Sequence, residues 1–529
     1  MSKAKYKPLS FSTTMRNPER IASFLKCIVP YEHKILTNEI IIEIILEVIR
    51  NKLYKPTYVN NVLRYKAIYA NEEKSFTREQ LLDIIENSEQ KHKEAGFDYG
   101  WPSRFDTWYK LSKEFGFLYY KMNEPIVISS LGHMLIDAIS ENPLNSEKIE
   151  NVFTHSLVKY SSNNPLRKTL NSNVPLVLLL KVIRNLDNDP EYAHNGIFRM
   201  EIPLFLCWPD GNDIALYEYI KNLRKNYGYS YSDEFMYDRC LQILNAGEKD
   251  KKYFKLSKIC RESVDEYIRK MRMTGLLSLR GNGRFLDENK FKKEKIDYIV
   301  QNYPTEKTFE NEEIYFNYIG EIDTNIVNIQ TKLPENSNEI RKNTVEKFAK
   351  QYTKKQILSE LLILSTGSRE SKDPVFRFIN APARLEFLTS IALKQCFKDM
   401  DVNPQYPYDD EGLPTSTAGG GIADIICKEL EYDELIEVTL MRGRADQVNN
   451  EIIPIARHQK EVRKSNPDTF SILIAPMIHD DTRMAAEWQK VAYGIDIYTY
   501  EISKFIGLLD DGGNNLKDLV SFKRNLVDH

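Results

Sequence analysis

Two hydrophobic periods alternate along the last third of the chain. From residue 346 onward, apolar residues fall at helical spacing over 346–364, 384–397, 452–464, 482–492 and 501–510. Between these lie short apolar runs at 422–427, 434–440, 470–475 and 495–499. Helices alternating with strands predict a mixed sheet covered by helices.

The first 303 residues follow another pattern, in which two stretches share one layout. In the first, Ser103 precedes a helix over 104–115, Gly116 offers a left-handed stop, and the strands FLYYKM and IVIS flank the turn NEP. In the second, Ser263 and Glu266 form an S-x-x-E capping box for a helix over 264–274. Gly275 stops it, and LLSLR and RFLDE flank GNG. Helical sequence lies upstream of each, TREQLLDIIENSEQ in one case and the region around FKLSKIC in the other. Helix, glycine and two-stranded wing form the ending of a winged helix. The pattern predicts two such modules, at about 75–142 and 230–303. Residues 304–345, punctuated by Pro304 and Pro334, read as an acidic, partly ordered linker, and 346–529 as the final α/β domain. The fold class is multidomain α+β.

Composition narrows the classes. A chain of 529 residues suggests about three or four domains. No apolar run approaches the roughly 20 residues of a membrane helix, and MSKAKYKPLSFSTT lacks the apolar core of a secretory signal. The six cysteines are scattered with no CxxC pair, which excludes a zinc ribbon and suits a reducing cytoplasm. Net charge is only −3, yet residues 251–295 hold 14 Lys/Arg against 6 Asp/Glu, and 304–340 hold 8 Asp/Glu against 2 Lys. A basic block beside an acidic one separates two tasks, and the basic one suits nucleic acid. There is no Walker loop, GxGxxG, GxSxG or HExxH.

The candidate chemistry lies in ADIICKELEYDELIEVTL, 423–440, where Asp424 and Glu437 interrupt apolar strands. Acids are poor strand formers. A hairpin about KELEYD sets Asp424 nearly opposite Glu437, with Cβ atoms roughly 5 Å apart. Two carboxylates that close repel unless a proton or cation lies between them. Mg²⁺, held by one or two carboxylates and several waters, resolves the conflict. An edge hairpin with solvated acids is the structural alternative. Glu386, flanked by apolar positions on the first helix of this region, adds a third acid. Glu451 and His458, seven residues apart around Pro454, share one helical face if the helix extends back that far. Gln447 is a weaker candidate. Gly419, Gly420 and Gly421 permit close approach of another backbone, such as a phosphodiester. Base edges are read by Arg, Lys, Asn and Gln. The second module offers Arg269, Lys270, Arg272, Arg280, Asn282 and Arg284, and the first offers Arg104, Lys110 and Lys121.

An acid on a helix, a glycine-rich approach, Asp on one strand and E-x-T on the next resemble the PD-(D/E)xK nuclease core. The fuller string ADII…ELIEVTLMRGRADQVNNEIIPIARH, with FSTTMRNPERI near the N-terminus, resembles the AlwI-like family of type IIS restriction and nicking endonucleases. The resemblance implies an N-terminal DNA-recognition region with winged helices, a linker and a C-terminal cleavage domain. It implies metal-binding carboxylates at Asp424 and Glu437, Glu386 as the upstream acid, and Glu451 and His458 as a downstream pair. Thr439 stands where many of the wider superfamily carry a lysine that helps position the attacking water. The implied activity is Mg²⁺-dependent hydrolysis, with one or two metals and Mn²⁺ as a substitute, beside a short asymmetric duplex sequence. The implied partners are double-stranded DNA, a companion DNA methyltransferase, and a second cleavage domain from a transient dimer or a small subunit. Two other readings stay open: a repair or transposon nuclease of the same core that recognises DNA ends or structure, and a DNA-binding regulator with an inactive nuclease domain.

Overall fold

The computed structural model describes residues 5–520 except 12–14, 16, 72–73, 142–144, 193–195, 367–368, 430–431 and 513–514. Part of the FSTTMRNPERI string and part of the KELEYD turn lie outside the described residues. The chain divides into two compact units, Met1–Lys66 with Phe76–Lys332, and Ala67–Ser75 with Leu333–His529. Among the described residues no helix is long and apolar enough to cross a membrane.

The first unit contains both helix–glycine–hairpin pieces. The Arg78–Glu86 helix opens on a Thr77–Gln80 capping box. The Trp101–Glu114 helix leads through Gly116 (φ +74°) into an antiparallel pair, β1 (Leu118–Tyr119) and β2 (Val127–Ile128). Ser103 does not cap this helix. Gly100, at φ +96°, makes the turn into it. The Ser103 hydroxyl instead donates to the Asp98 carbonyl and accepts the Glu94 N–H.

In the second piece, Ser263–Arg272 runs straight on from a widened helical turn at Lys258–Glu262. The Ser263–Glu266 capping box therefore does not form, because the backbone before Ser263 is already helical. The FKLSKIC region supplies that turn, not a separate upstream helix; that helix is Asp233–Ile243. The hairpin that follows is antiparallel, and its strands become the second and third members of a three-stranded sheet. β3 (Ile197–Phe198) pairs with β5 (Phe285–Glu288), which pairs with β4 (Leu277–Arg280). This unit thus borrows a strand from well before residue 230.

Residues 304–332, expected within a partly ordered acidic linker over 304–345, are packed into the first unit. The Glu312–Gly320 helix buries Tyr315 and Ile319. The Tyr315 hydroxyl donates to the Glu114 carbonyl at 2.7 Å, and Lys113 Nζ reaches Glu312 at 2.9 Å. Tyr298 and Tyr303 both donate to the Asp323 carboxylate, which holds that group below the ordinary carboxylate range. A Cβ on Gly116 would lie 2.2 Å from the Ile319 side chain, so the helix stop doubles as the socket for this segment. Acidic composition masked the few apolar residues that are buried, Tyr315, Ile319 and Ile326.

In the second unit the predicted helix over 346–364 is two helices, Ser337–Gln351 and Lys354–Ser365, parted where Thr353 and Gln356 form a capping box. Next comes the Ala381–Cys396 helix, capped by Asn380 with a proline in its first turn. It is buried continuously from Ala383 to Leu393. It packs on the first of these helices through Phe348 and Phe387, ring centroids 5.0 Å apart.

The sheet has five strands: β6 (Asp401–Pro404), β7 (Ile425–Lys428), β8 (Asp433–Val438), β9 (Phe470–Ala475) and β10 (Ile497–Glu501). Their spatial order is β10-β9-β8-β7-β6, antiparallel across β6, β7 and β8 and parallel from β8 to β10. Every residue of β9 is buried, as a central strand covered on both faces requires. β6, read as DVNP, escaped sequence analysis because Asp, Asn and Pro disfavour strands. It is an edge strand, where proline is tolerated.

A fragment carrying the first unit should therefore end at residue 332 and not at 303. Burying Tyr315, Ile319 and Ile326 stabilises by roughly 1.5–3 kcal/mol each, against a typical domain stability of about 5–15 kcal/mol. We expect 1–332 to melt cooperatively and 1–303 to melt several degrees lower or resist refolding. Thermal unfolding of the two fragments checks this.

Candidate active site

The β7–β8 register pairs Ile425 with Ile436 and Ile426 with Leu435. Continued by one position, it sets Asp424 opposite Glu437. Asp424 lies just before β7, and its Oδ2 accepts the Val438 N–H at 2.8 Å. This bond crosses the hairpin and fixes the acid beside β8. Glu437 is nearly enclosed, at 7% exposure. Glu386 lies on the buried face of the Ala381–Cys396 helix, and both its oxygens accept the Ala418 N–H, at 3.2 and 3.0 Å. Ala418 immediately precedes the three glycines. A Cβ on Gly419 or Gly421 would meet nothing within 4 Å, so internal packing leaves open the space they face.

The helical path does extend back from Pro454. A widened turn at Gln447–Ile452 joins the Ile453–Val462 helix without a break. That path brings Glu451 and His458 to the same carboxylate. His458 Nδ1 lies 3.0 Å from Glu437 Oε1. When Glu437 is ionised, the proton of this contact sits on Nδ1. His458 Nε2 is buried with no hydrogen-bond partner among the described residues.

The electrostatics are those of crowded like charges. Burial, and then the Glu437 charge, drive the Asp424 carboxyl far above its ordinary range. Burial, and then Asp424, do the same to Glu386. Glu437 is raised to about 8, chiefly by burial and then by Glu451. Glu451 is raised to about 7 by burial and by Asp424, opposed by a hydrogen bond from Thr439. His458 is lowered by burial and by the neighbouring Arg457, against the pull of Asp424.

The donor set is oxygen-rich and open. Among the described residues no group of three His, Cys, Asp or Glu side chains is arranged to enclose a metal ion. Two facing carboxylates with a third tied to a backbone N–H nevertheless suit Mg²⁺, which keeps several of its own waters. Asp424 and Glu437 would hold it.

Two sequence candidates change role. Gln447 donates to the Met441 and Met477 carbonyls and accepts from Thr482, so it braces the loop after β8 and does not face the acids. Thr439 gains one. It accepts the Met441 N–H, and its hydroxyl is positioned to bond Glu451. The anchor of Glu386, being a backbone N–H of Ala418, left no sequence signal.

The proposed DNA-reading side chains divide sharply. Lys270 is fully buried and donates to the Met15 carbonyl at 2.7 Å, which removes it from any DNA-facing surface. Arg280 is held inside its own hairpin by Asp287 at 2.6 Å and the Glu288 carbonyl. Arg104 lies over Tyr54 and Trp108, with Nη1 2.6 Å from His92 Nε2. Arg269 and Arg272 are half-buried on their helix, Arg269 beside Glu266. Lys110, near Glu94, and Lys121, paired with Glu124, are exposed. Asn282 and Arg284 stand exposed at the hairpin tip, where Gly281, Asn282 and Gly283 all have positive φ. Counting basic residues cannot reveal which ones the fold pairs internally.

The raised carboxyls fix a pH dependence. Folded values of about 8 for Glu437 and 7 for Glu451 exceed the unfolded value near ~4.3. The folded state therefore binds more protons, and stability present at low pH is lost as pH rises through 7 to 8. We expect the melting temperature of metal-free protein to fall between pH 5 and 8. Glu437→Gln should flatten that fall, and added Mg²⁺ should raise the melting temperature more at pH 8 than at pH 6. Scanning calorimetry across this range checks it.

The model of a family described as AlwI restriction endonuclease matches residues 113–371 and 324–508 of this chain. No curated protein gives a significant match. Among solved structures, the small subunit R.BspD6I2 of the heterodimeric restriction endonuclease R.BspD6I is 20% identical, covering 33% of this chain and 87% of its own, with a TM-score of 0.26. Restriction endonuclease FokI is 10% identical over 98% of this chain and 97% of its own, with a TM-score of 0.25. Global likeness this low identifies nothing by itself. The family match is of another kind: its two segments together run from 113 to 508 and take in the paired carboxylates and most of the first unit. The chain belongs to the AlwI restriction endonuclease family.

Proposed function

We propose that this restriction endonuclease is of type IIS, reading a short asymmetric duplex sequence with its first unit and cutting a fixed distance to one side with its second. The observation that carries the proposal is the facing of Asp424 and Glu437 one position beyond the β7–β8 ladder, with Asp424 fixed to the Val438 N–H, in a unit separate from the exposed basic hairpin tip. Both helix–glycine–hairpin pieces belong to the first unit and support its reading as two winged helices. The stretch between the Thr324–Asn328 and Ser337–Gln351 helices is one short connection between reading and cutting, and the chain also passes between the units on either side of Ala67–Ser75. One active site per chain favours nicking before double-strand cleavage, with the second cut supplied by another cleavage domain.

Bound Mg²⁺ would supply Lewis-acid chemistry at the scissile phosphate. Asp424 and Glu437 would hold it, and Glu386, fixed by Ala418, would complete the acidic wall. Gly419 to Gly421 leave room for the sugar–phosphate backbone. Glu451 takes the place of the missing lysine. A carboxyl with a pKa of about 7 can accept the proton of the attacking water near neutral pH. Thr439 orients it and favours its ionised form. His458 holds Glu437 from behind through Nδ1.

Asp424→Ala and Glu437→Ala should abolish plasmid cleavage in Mg²⁺ while leaving specific binding intact in a mobility-shift assay. Wild-type turnover by either variant would refute the assignment. Glu451→Gln should cost roughly 10²–10⁴-fold in rate, as for loss of a general base. Thr439→Val should move the acid limb of the rate profile to higher pH, and Thr439→Ser should not. Arg284→Ala should cost roughly 1–3 kcal/mol of specific binding if that side chain reads a guanine bidentately. Sequencing the ends of both strands locates the cut. A palindromic site cut symmetrically within its own bases would contradict the type IIS reading.

A further inference from the structure

The corner between the Asp213–Tyr227 and Asp233–Ile243 helices of the first unit is bare. From Lys225 to Ser230 six consecutive residues are exposed. They read Lys-Asn-Tyr-Gly-Tyr-Ser, and no Asp or Glu occurs between Glu218 and Asp233. Tyr227 is 46% exposed and Tyr229 37%. Gly228 turns the chain at φ +59°, and a Cβ there would meet nothing within 4 Å. A basic residue in the last helical turn suits the helix dipole. That accounts for Lys225 but not for the uncharged polar run that follows it.

The corner is fixed against the β4–β5 hairpin. The rings of Phe198, Tyr229 and Phe285 meet pairwise with centroids 5.4 Å apart, and Tyr227 packs on Phe235 at 4.9 Å. The Arg199 N–H donates to the Arg284 carbonyl at 2.7 Å, which ties the end of β3 to the hairpin tip. Buried Arg224 pairs with Glu201 and lies 5.3 Å from the Tyr229 ring. The rings are thus committed to packing, whereas the polar ends are not. The Tyr231 hydroxyl bonds Glu201. The hydroxyls of Tyr227 and Tyr229, the Lys225 ammonium and the Arg284 guanidinium have no hydrogen-bond or acidic partner among the described residues.

Lys, Asn, Ser and Tyr side chains are among the groups that bond DNA phosphate and sugar oxygens. All five side chains of the run belong to this set, and its remaining residue is a glycine that permits close approach. Because the tyrosine rings are already packed, their hydroxyls and not their faces are offered outward. We propose that the Lys225–Ser230 corner grips one sugar–phosphate strand of duplex DNA while the neighbouring hairpin tip, with Asn282 and Arg284, lies at the adjacent groove. The inference rests on the reading of the first unit as the DNA-recognition region. Lys225 pairs with a phosphate, and Tyr227 and Tyr229 donate their hydroxyls to phosphate oxygens. The corner carries affinity and register, and base choice stays with the tip.

The test uses the full chain without divalent metal and follows fluorescence anisotropy on two labelled duplexes, one carrying the sequence beside a mapped cut and one of random sequence. Lys225→Ala should weaken both by the same factor and lower the slope of log affinity against log salt by about one. Tyr227→Phe and Tyr229→Phe keep their rings. Each should weaken both duplexes roughly two- to tenfold, the net contribution of one hydrogen bond, with an unchanged melting temperature. Replacing phosphates singly by neutral methylphosphonates should reveal one position at which Lys225→Ala no longer lowers affinity. The assignment is overturned if Lys225→Ala leaves the salt slope unchanged or if both tyrosine variants bind like the wild type. It is also overturned if these changes alter the ratio of specific to random binding, which would make the corner a base reader, or if the loss is confined to single-stranded DNA. Equal binding of both duplexes by wild-type protein would overturn the recognition-region reading instead, with the salt slope of Lys225→Ala still deciding the phosphate contact.

Discussion

The second unit is organised around an electrostatic conflict. Asp424 and Glu437 face one another across a hairpin, with Glu386 and Glu451 close enough that each of the four has its pKa raised by burial and by another carboxyl. Left to themselves such groups would separate into water. The fold prevents this with uncharged donors: the Val438 N–H on Asp424, the Ala418 N–H on Glu386, the Thr439 hydroxyl on Glu451 and the imidazole of His458 on Glu437. Neutral donors orient the acids without cancelling their charge. An ion pair with Lys or Arg would have stabilised the empty protein and closed the site to a cation.

How much of this was legible in the sequence depends on the range of the signal. The Asp424–Glu437 facing followed from strand alternation and a short turn, both local, and the ladder register carries it. The helical continuation from Pro454 back to Glu451 was likewise local, although the turn is wider than regular α-helix. Glu386 was visible only as an acid among apolar neighbours. Its anchor on Ala418 is 32 residues away and involves a backbone group that every residue possesses.

The failures share a cause. Lys270 and Arg280 were read as DNA contacts because composition counts charges, but tertiary structure pairs them with Met15 and Asp287. Residues 304–332 were read as linker because acids outnumber apolar residues, yet Tyr315, Ile319 and Asp323 each find a specific partner surface. Ser263 satisfies a capping consensus but sits inside a helix that begins earlier. In each case a local rule was correct in kind and was overridden by a contact distant in sequence.

The same electrostatic conflict offers a physical basis for control. A nuclease that cuts whenever it meets DNA would be harmful, so ionisation of its acids should cost free energy until cation and phosphodiester are both present. Burial acts in this direction, because it raises the pKa of each of the four carboxyls. If Asp424 and Glu437 hold a divalent ion as proposed, its charge would favour their ionised forms, and Gly419 and Gly421 leave open space beside the Ala418 anchor of Glu386. On the proposed division of labour, the basic hairpin tip and the acids belong to separate units, so a change that alters DNA binding would leave the charge balance of the acids untouched.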